Sequence, residues 1–315
     1  MSQTYEPAAV MPPPPETLSV QARTQLAATA AALPPDAFNM DMAQMRFFAE
    51  QMQEGLGAEQ KKAYPVTVTD DVVAGVPVRR IVREGGAADN RRVLMNLHGG
   101  GFAVDAGALT ENVPIAAITG VEVFAVRYRL APENPFPAAV DDALAVYKAL
   151  LADHDARDIG VYGTSAGAVI GPQLMMRLKA EGLPPPAALG VFSGEADLVG
   201  VADSLRVFAR TAEADLLIRC KQDYVGKADP HDPLVSPIFG DLSCFPTTLL
   251  ISSGRDVLLS GTANLSRALT AAGVSAELVI FDALPHAFWA NIMAPESDEA
   301  FQLMSSFFTT HLGAR

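Results

Sequence analysis

Two short glycine-bounded stretches carry the residues best suited to chemistry. In Gly163-Thr164-Ser165-Ala166-Gly167 a serine sits between two glycines, after a β-rich run ending at Tyr162 and before a helical pattern starting near Ala166. A strand that reverses sharply into a helix presents such a serine as a nucleophile, with small neighbours relieving the crowding. The following helix aims its free N–H groups at the reacting centre, where negative charge develops. The second stretch is His98-Gly99-Gly100-Gly101-Phe102, directly after the apolar run Val93–Leu97. Three successive glycines expose bare backbone, which suits N–H donors that must approach an oxyanion to about 2.7–3.1 Å. Gly99 and Gly100 are the expected donors, joined by the N–H of Ala166, and His98 is expected to brace the loop. No Gly-Lys-Ser/Thr follows, so a phosphate-binding loop fails, and the spacing does not fit a dinucleotide fingerprint.

A serine hydroxyl needs a base within hydrogen-bond reach. Five histidines are available. His98 is committed to the glycine loop, His154 lies in the charged turn Asp153-His154-Asp155, His231 in a proline-rich acidic loop, and His311 near the end. His286, in Leu284-Pro285-His286-Ala287-Phe288, follows the last strand candidate and is the expected base. The orienting acid should follow the preceding strand, which selects Asp256 in Ser253-Gly254-Arg255-Asp256, with Asp232 and Asp282 as alternatives. The order Ser165, Asp256, His286 is that of a serine-nucleophile site on a parallel α/β sheet.

The elements that must hold these residues are legible as alternation. Strand candidates are Val66–Val68, Val78–Arg83, Val93–Leu97, Glu122–Tyr128, Asp158–Tyr162, Leu189–Ser193, Thr247–Ser252 and Glu277–Phe281. Compact apolar runs such as Thr247–Ser252 suit strands buried on both faces. Helical patterns at 108–119, 137–152, 166–181, 261–272 and 297–311 separate them, so the fold class is α/β, a mostly parallel sheet with helices on both faces. Ahead of the sheet, Met42, Met45, Phe48, Ala49, Met52 and Leu56 share one face of a helix over 40–54, ending near Gly55 and Gly57. The first 20 residues, with Pro12 to Pro15, favour polyproline II or disorder. A helical insertion at 196–225 interrupts the rhythm, and no internal repeat is present.

Bulk composition narrows the function class. Half of the 315 residues are hydrophobic, and 36 acidic residues against 23 basic ones leave a net charge of −13. That balance excludes the basic footprint of a nucleic-acid binder. No apolar run approaches the roughly 18 residues of a membrane span, and no signal peptide is apparent. The two cysteines, Cys220 and Cys244, lie in no metal-ligand pattern, so neither a metal site nor a disulfide is expected, and a cytoplasmic location is.

Taken together, HGGGF at 98–102, Tyr128-Arg129-Leu130-Ala131-Pro132-Glu133, Pro135-Phe136-Pro137-Ala138-Ala139-Val140-Asp141-Asp142, GTSAG at 163–167 and the Asp256/His286 pair resemble the bacterial hormone-sensitive-lipase-like esterases. GTSAG in place of GDSAG points to one of the two large subgroups. The resemblance covers residue 65 to the end. It implies an α/β-hydrolase fold with an eight-stranded core over 65–315. It also implies a helical cap, made from the N-terminal segment 1–64 and the insertion at 196–225. It implies cofactor-free hydrolysis of short- to medium-chain acyl esters through an acyl-enzyme, with lactone opening, amide cleavage and acyl transfer as uses of the same machinery, and a homodimer by analogy. A non-catalytic small-molecule receptor on the same fold is the rival from another class, and such receptors usually lack the base. Two departures stand out: Asp105-Ala106-Gly107 follows the glycine loop where Gly-Ser is common, and Ser260-Gly261-Thr262 follows the acid where a second acidic residue is common. Arg129, Glu133 and Asp141 are expected to pair beside the glycine loop. Met40, Met42, Met45, Phe47 and Phe48 are expected to offer adaptable apolar groups to the substrate or to the core, and Trp289 to border the pocket or fill the core.

Overall fold

The computed structural model describes residues 12–32, 40–87, 91–208 and 211–313. Eight strands form one sheet: β1 (Val66–Val73), β2 (Val76–Arg83), β3 (Val93–Leu97), β4 (Glu122–Val126), β5 (Ile159–Thr164), β6 (Ala188–Phe192), β7 (Thr247–Arg255) and β8 (Ala276–Pro285). Their order is β1-β2-β4-β3-β5-β6-β7-β8. The β1–β2 hairpin and the β2–β4 pairing are antiparallel, and every other pairing is parallel. All eight expected strands are present. The central β3, β5 and β6 are buried at every residue, which is why they read as unbroken apolar runs.

The described helices are α1 (Val20–Ala32), α2 (Met42–Ala63), α3 (Val113–Thr119), α4 (Ala138–Asp153), α5 (Gly167–Glu181), α6 (Asp203–Phe208), α7 (Thr211–Val225), α8 (Leu259–Ala271), α9 (Phe288–Asn291) and α10 (Pro295–His311). Alternate residues of one strand serve opposite faces of the sheet. Val93, Met95 and Leu97 of β3 join a core with Val140, Val169 and Leu265 from α4, α5 and α8. Leu94 joins the opposite core with Ile115, Phe301 and Phe308 from α3 and α10. Among the described residues no helix is long and apolar enough to cross a membrane.

Three elements differ from expectation. Helix α2 does not end near Gly55 and Gly57 but runs on to Ala63. Gly57 is there because its helix face presses on Leu109, where a Cβ would stand 2.5 Å from Leu109 Cδ2. Helix α3 begins at Val113, not 108, because the Asp105 carboxylate takes the N–H groups of Gly107 and Ala108 into a turn and Pro114 opens the helix. Helix α1 is not expected from the sequence, because its apolar residues define almost no one-sided face. Of the proline-rich leader, residues 1–11 lie outside the described residues. Further on, Leu18 is buried and Ser19 donates from both backbone and hydroxyl to Glu296, at 2.6 and 2.8 Å. The insertion at 196–225 comprises α6 and α7, with 209–210 outside the described residues.

Candidate active site

The carboxyl ends of β3, β5, β7 and β8 converge, as the crevice rule for parallel sheets requires. Ser165 follows β5 with a φ of +55°, a left-handed conformation that an L-residue adopts only under constraint. The flanking glycines permit it. A Cβ on Gly163 would stand 2.3 Å from the backbone carbon of Gly167, and one on Gly167 would stand 1.7 Å from Leu97 O. Ser165 Oγ lies 2.9 Å from His286 Nε2, and His286 Nδ1 lies 2.7 Å from Asp256 Oδ1. This geometry suits an imidazole that donates from Nδ1 to the carboxylate and accepts the serine proton at Nε2.

Asp256 is fully buried, and its surroundings favour the charged form. Ser252 Oγ–H donates to Oδ2 at 2.7 Å and Leu258 N–H to Oδ1 at 2.9 Å. Burial alone would raise its pKa, but the facing His286, with the Ser193 hydroxyl and the Leu258 N–H, outweighs burial and holds the carboxyl below the usual range. Ser253 Oγ–H donates to Leu284 O at 2.6 Å, tying the end of β7 to the end of β8. Ser193 Oγ accepts the Ala287 N–H at 3.3 Å. Neither alternative acid takes part: Asp282 is exposed, and Asp232 is an exposed turn residue that receives Leu234 N–H.

His98 is buried behind the glycine loop. Its Nδ1 donates to Gly99 O at 2.8 Å, and its ring stacks on Tyr128 at 4.1 Å, whose hydroxyl donates to His98 O at 2.7 Å. Among the described residues, the N–H groups of Gly100, Gly101 and Ala166 meet no protein acceptor, and Gly101 and Ala166 border the same cavity as Ser165. Gly99 departs from expectation. Its N–H donates to Glu111 Oε1 at 3.1 Å, inside the protein, and is not free for an incoming oxyanion.

A cavity of about 370 Å³ opens over Ser165, at the small end of the roughly 300–1,000 Å³ of ligand sites. Its outer wall comes from the insertion, with Leu198, Val201, Leu205, Leu217 and Ile218, and its polar floor is the Glu195–Lys221 pair. None of Met40, Met42, Met45, Phe47 and Phe48 borders this cavity. Phe47 and Phe48 are 70% and 57% exposed, because α2 lies on the loop at 103–111 rather than over Ser165. Trp289 is core, packed edge-on against Phe192 and Phe288. The ion pairs near the glycine loop are also rearranged. Arg129 holds Asp142, one residue beyond the expected Asp141, while Asp141 pairs with Arg177 and Glu133 with Arg46 of α2.

Both departures from the family pattern have local roles. The Asp105 carboxylate is buried among the Gly107 and Ala108 N–H groups, Gln53 and Arg127; burial raises its pKa, but His98, the Ala108 N–H, Arg127 and Arg79 together hold it below the usual range. Ser260 and Ser204 exchange hydrogen bonds, Ser204 N–H to Ser260 Oγ at 3.1 Å and Ser260 N–H to Ser204 Oγ at 3.0 Å, fastening α6 beside Asp256. Sequence reading missed Glu111, whose one signal is its place as the lone charge in the otherwise weakly polar stretch 106–121.

A family model described as alpha/beta hydrolase fold matches residues 94–290. An acetyl-hydrolase from Streptomyces hygroscopicus is 32% identical over 240 residues, 72% of this chain and 78% of the relative. The crystal structure of an esterase superposes with a TM-score of 0.82 at 28% identity, covering 98% of this chain and 99% of the other. An esterase from the bacterial hormone-sensitive lipase family gives 0.78 at 28% identity, covering 90% and 95%.

Proposed function

Since the chain belongs to the hormone-sensitive-lipase-like esterases of the alpha/beta hydrolase fold, and is accordingly a carboxylic ester hydrolase, we propose that it cleaves short- to medium-chain acyl esters with Ser165, His286 and Asp256 as its catalytic triad. The hydrogen-bonded line from Ser165 Oγ through His286 to Asp256 carries this reading.

In the proposed cycle, Ser165 Oγ attacks the ester carbonyl carbon while His286 Nε2 takes its proton. Asp256 fixes the ring tautomer and stabilises the imidazolium. The oxyanion is held by the N–H groups of Gly100, Gly101 and Ala166, while Gly99 serves the loop's own rigidity. The carbon–oxygen bond to the alcohol breaks, and the His286 proton passes to the leaving oxygen. A water then gives its proton to His286 and attacks the acyl-enzyme, releasing the acid and restoring Ser165. The insertion at 196–225 acts as the part of the cap that meets the acyl chain, and α2 as the part that supports the glycine loop. The small cavity supports short acyl groups, with each buried methylene favouring binding by about 0.8 kcal/mol until the insertion wall is reached.

The test is Ser165→Ala. It should fold as wild type by circular dichroism and lose p-nitrophenyl butyrate hydrolysis by on the order of 10⁴-fold or more. Turnover close to wild type would overturn the assignment. A chain-length series should favour butyrate over laurate.

A further inference from the structure

Glu111 lies in the turn before α3 with its side chain wholly buried. Among the described residues no lysine or arginine pairs with it. Its Oε1 accepts the Gly99 N–H at 3.1 Å and its Oε2 accepts Asn96 Nδ2 at 3.2 Å. The polarity continues outward in one direction: Asn96 Oδ1 accepts from Asn112 Nδ2 at 3.0 Å, and Asn112 Oδ1 accepts the Tyr162 hydroxyl. Donors from β5, the start of α3, β3 and the glycine loop therefore all run toward this one carboxyl group. The packing is close. A Cβ on Gly107 would stand 1.9 Å from Oε1, and one on Gly99 would lie 3.2 Å from Oε1 and 3.4 Å from Ser165 Cβ. Glu111 Oε1 and Ser165 Cβ thus both crowd the one place a Gly99 side chain would take, which brings the carboxyl group close to the nucleophile.

We propose that Glu111 is a positioning residue for ester hydrolysis, a neutral carboxylic acid that clamps the Gly99 N–H so that the next two N–H groups face the oxyanion, and whose ionisation opposes catalysis. The proposal rests on the esterase reading above. A hydrogen bond to Gly99 orients the loop, whereas a negative charge at the same place would face the position where the oxyanion must form. Burial pushes the Glu111 pKa up to about 8, against the lowering effect of the Asn96 and Gly99 donors, and the Asp105 carboxylate adds to the rise. The other titratable groups around it are Tyr162 on β5 and Tyr128 after β4, both pushed well above the usual phenol range by burial, and His98 at the end of β3, 3.8 Å from Asp105.

The experiment is a pH profile of kcat and KM for p-nitrophenyl butyrate. In wild type, kcat should fall by roughly tenfold or more above pH about 8 while KM holds, the scale expected of one charge brought close to the oxyanion. Inhibition by a trifluoromethyl ketone, which forms an oxyanion on the serine, should weaken in step. Glu111→Gln retains an acceptor for Gly99 but cannot ionise. It should keep turnover within about tenfold of wild type at pH 7, the scale of one hydrogen bond, and lose the alkaline fall. Glu111→Met loses both, so it should be slower than Glu111→Gln at pH 7 and equally flat. A flat wild-type profile overturns the proposal without any variant, and so does an alkaline fall retained in either folded variant. Absence of Ser165-dependent turnover at pH 7 would instead overturn the esterase reading itself.

Discussion

Asp256 is enclosed by protein yet favours the carboxylate, since Ser252, Leu258 and His286 all donate to it. Asp256→Asn should therefore do two separable things. Its amide group cannot accept from every donor around it, which should lower stability by about 1–3 kcal/mol. It also stabilises the wrong imidazole tautomer, so kcat should fall on the order of 10⁴-fold. Thermal melts and kinetics on one preparation check both, and a kcat within tenfold of wild type would remove Asp256 from the triad. The residues of the site differ in how far sequence revealed them. That Ser165, His286 and Asp256 lie together was legible because each closes a strand, and strand ends are local patterns. The choice among the three glycines was not, because which N–H is consumed internally depends on Glu111, twelve residues on and visible only once the loop is folded. Arg129 meets Asp142 rather than Asp141 for a related reason: helical phase decides which of the two faces the loop.

At the scale of elements, the insertion and α2 work on the site from opposite sides. Lys221 on α7 donates to Glu195 Oε1 at 3.0 Å, Asp197 O at 3.0 Å and Gly200 O at 2.8 Å, gathering the segment that walls the cavity. Lys221→Met leaves Glu195 buried without its cation. Stability should fall by about 3 kcal/mol, and the loosened wall should shift preference toward longer acyl chains, read as the ratio of kcat/KM for octanoate to butyrate. An unchanged ratio would mean that the wall is fixed by other contacts. Helix α2 grips the far side: Gln53 Nε2 donates to Asp105 O at 2.7 Å and Gln53 Oε1 accepts Leu109 N–H at 2.9 Å. Gly57→Val would drive branched carbons into Leu109, which should lower stability by about 1–3 kcal/mol and depress kcat more than KM, because the displaced loop carries Glu111. Strand identities were readable throughout, since burial on both faces leaves unbroken apolar runs. The extent of α2 was not, because glycine reads as a stop signal where the fold needs it for close approach.

Over the whole molecule, the parallel sheet gathers the ends of β3, β5, β7 and β8 at one rim, and the groups buried there give stability a pH dependence of two signs. Asp105 and Asp256 are held below the usual range, by His98 and by His286 with their hydrogen-bond donors, despite burial. Their contribution is present above about pH 4 and is lost as pH falls through their native values. Glu111 runs the other way. Its native pKa of about 8 lies above the unfolded value near 4.5. Its contribution is full below the unfolded value and is lost progressively until pH passes about 8, at up to about 1.4 kcal/mol per pH unit for one proton. The net charge of −13 adds self-repulsion in the same direction. Stability should therefore peak on the acid side of neutrality and decline toward pH 8. Urea midpoints at pH 5, 6.5 and 8 measure the slope. Glu111→Gln should flatten this decline while leaving the acid limb in place, because Asp105 and Asp256 keep their partners. If wild type and variant decline in parallel, Glu111 is already ionised in the folded protein and the slope belongs to surface charge alone.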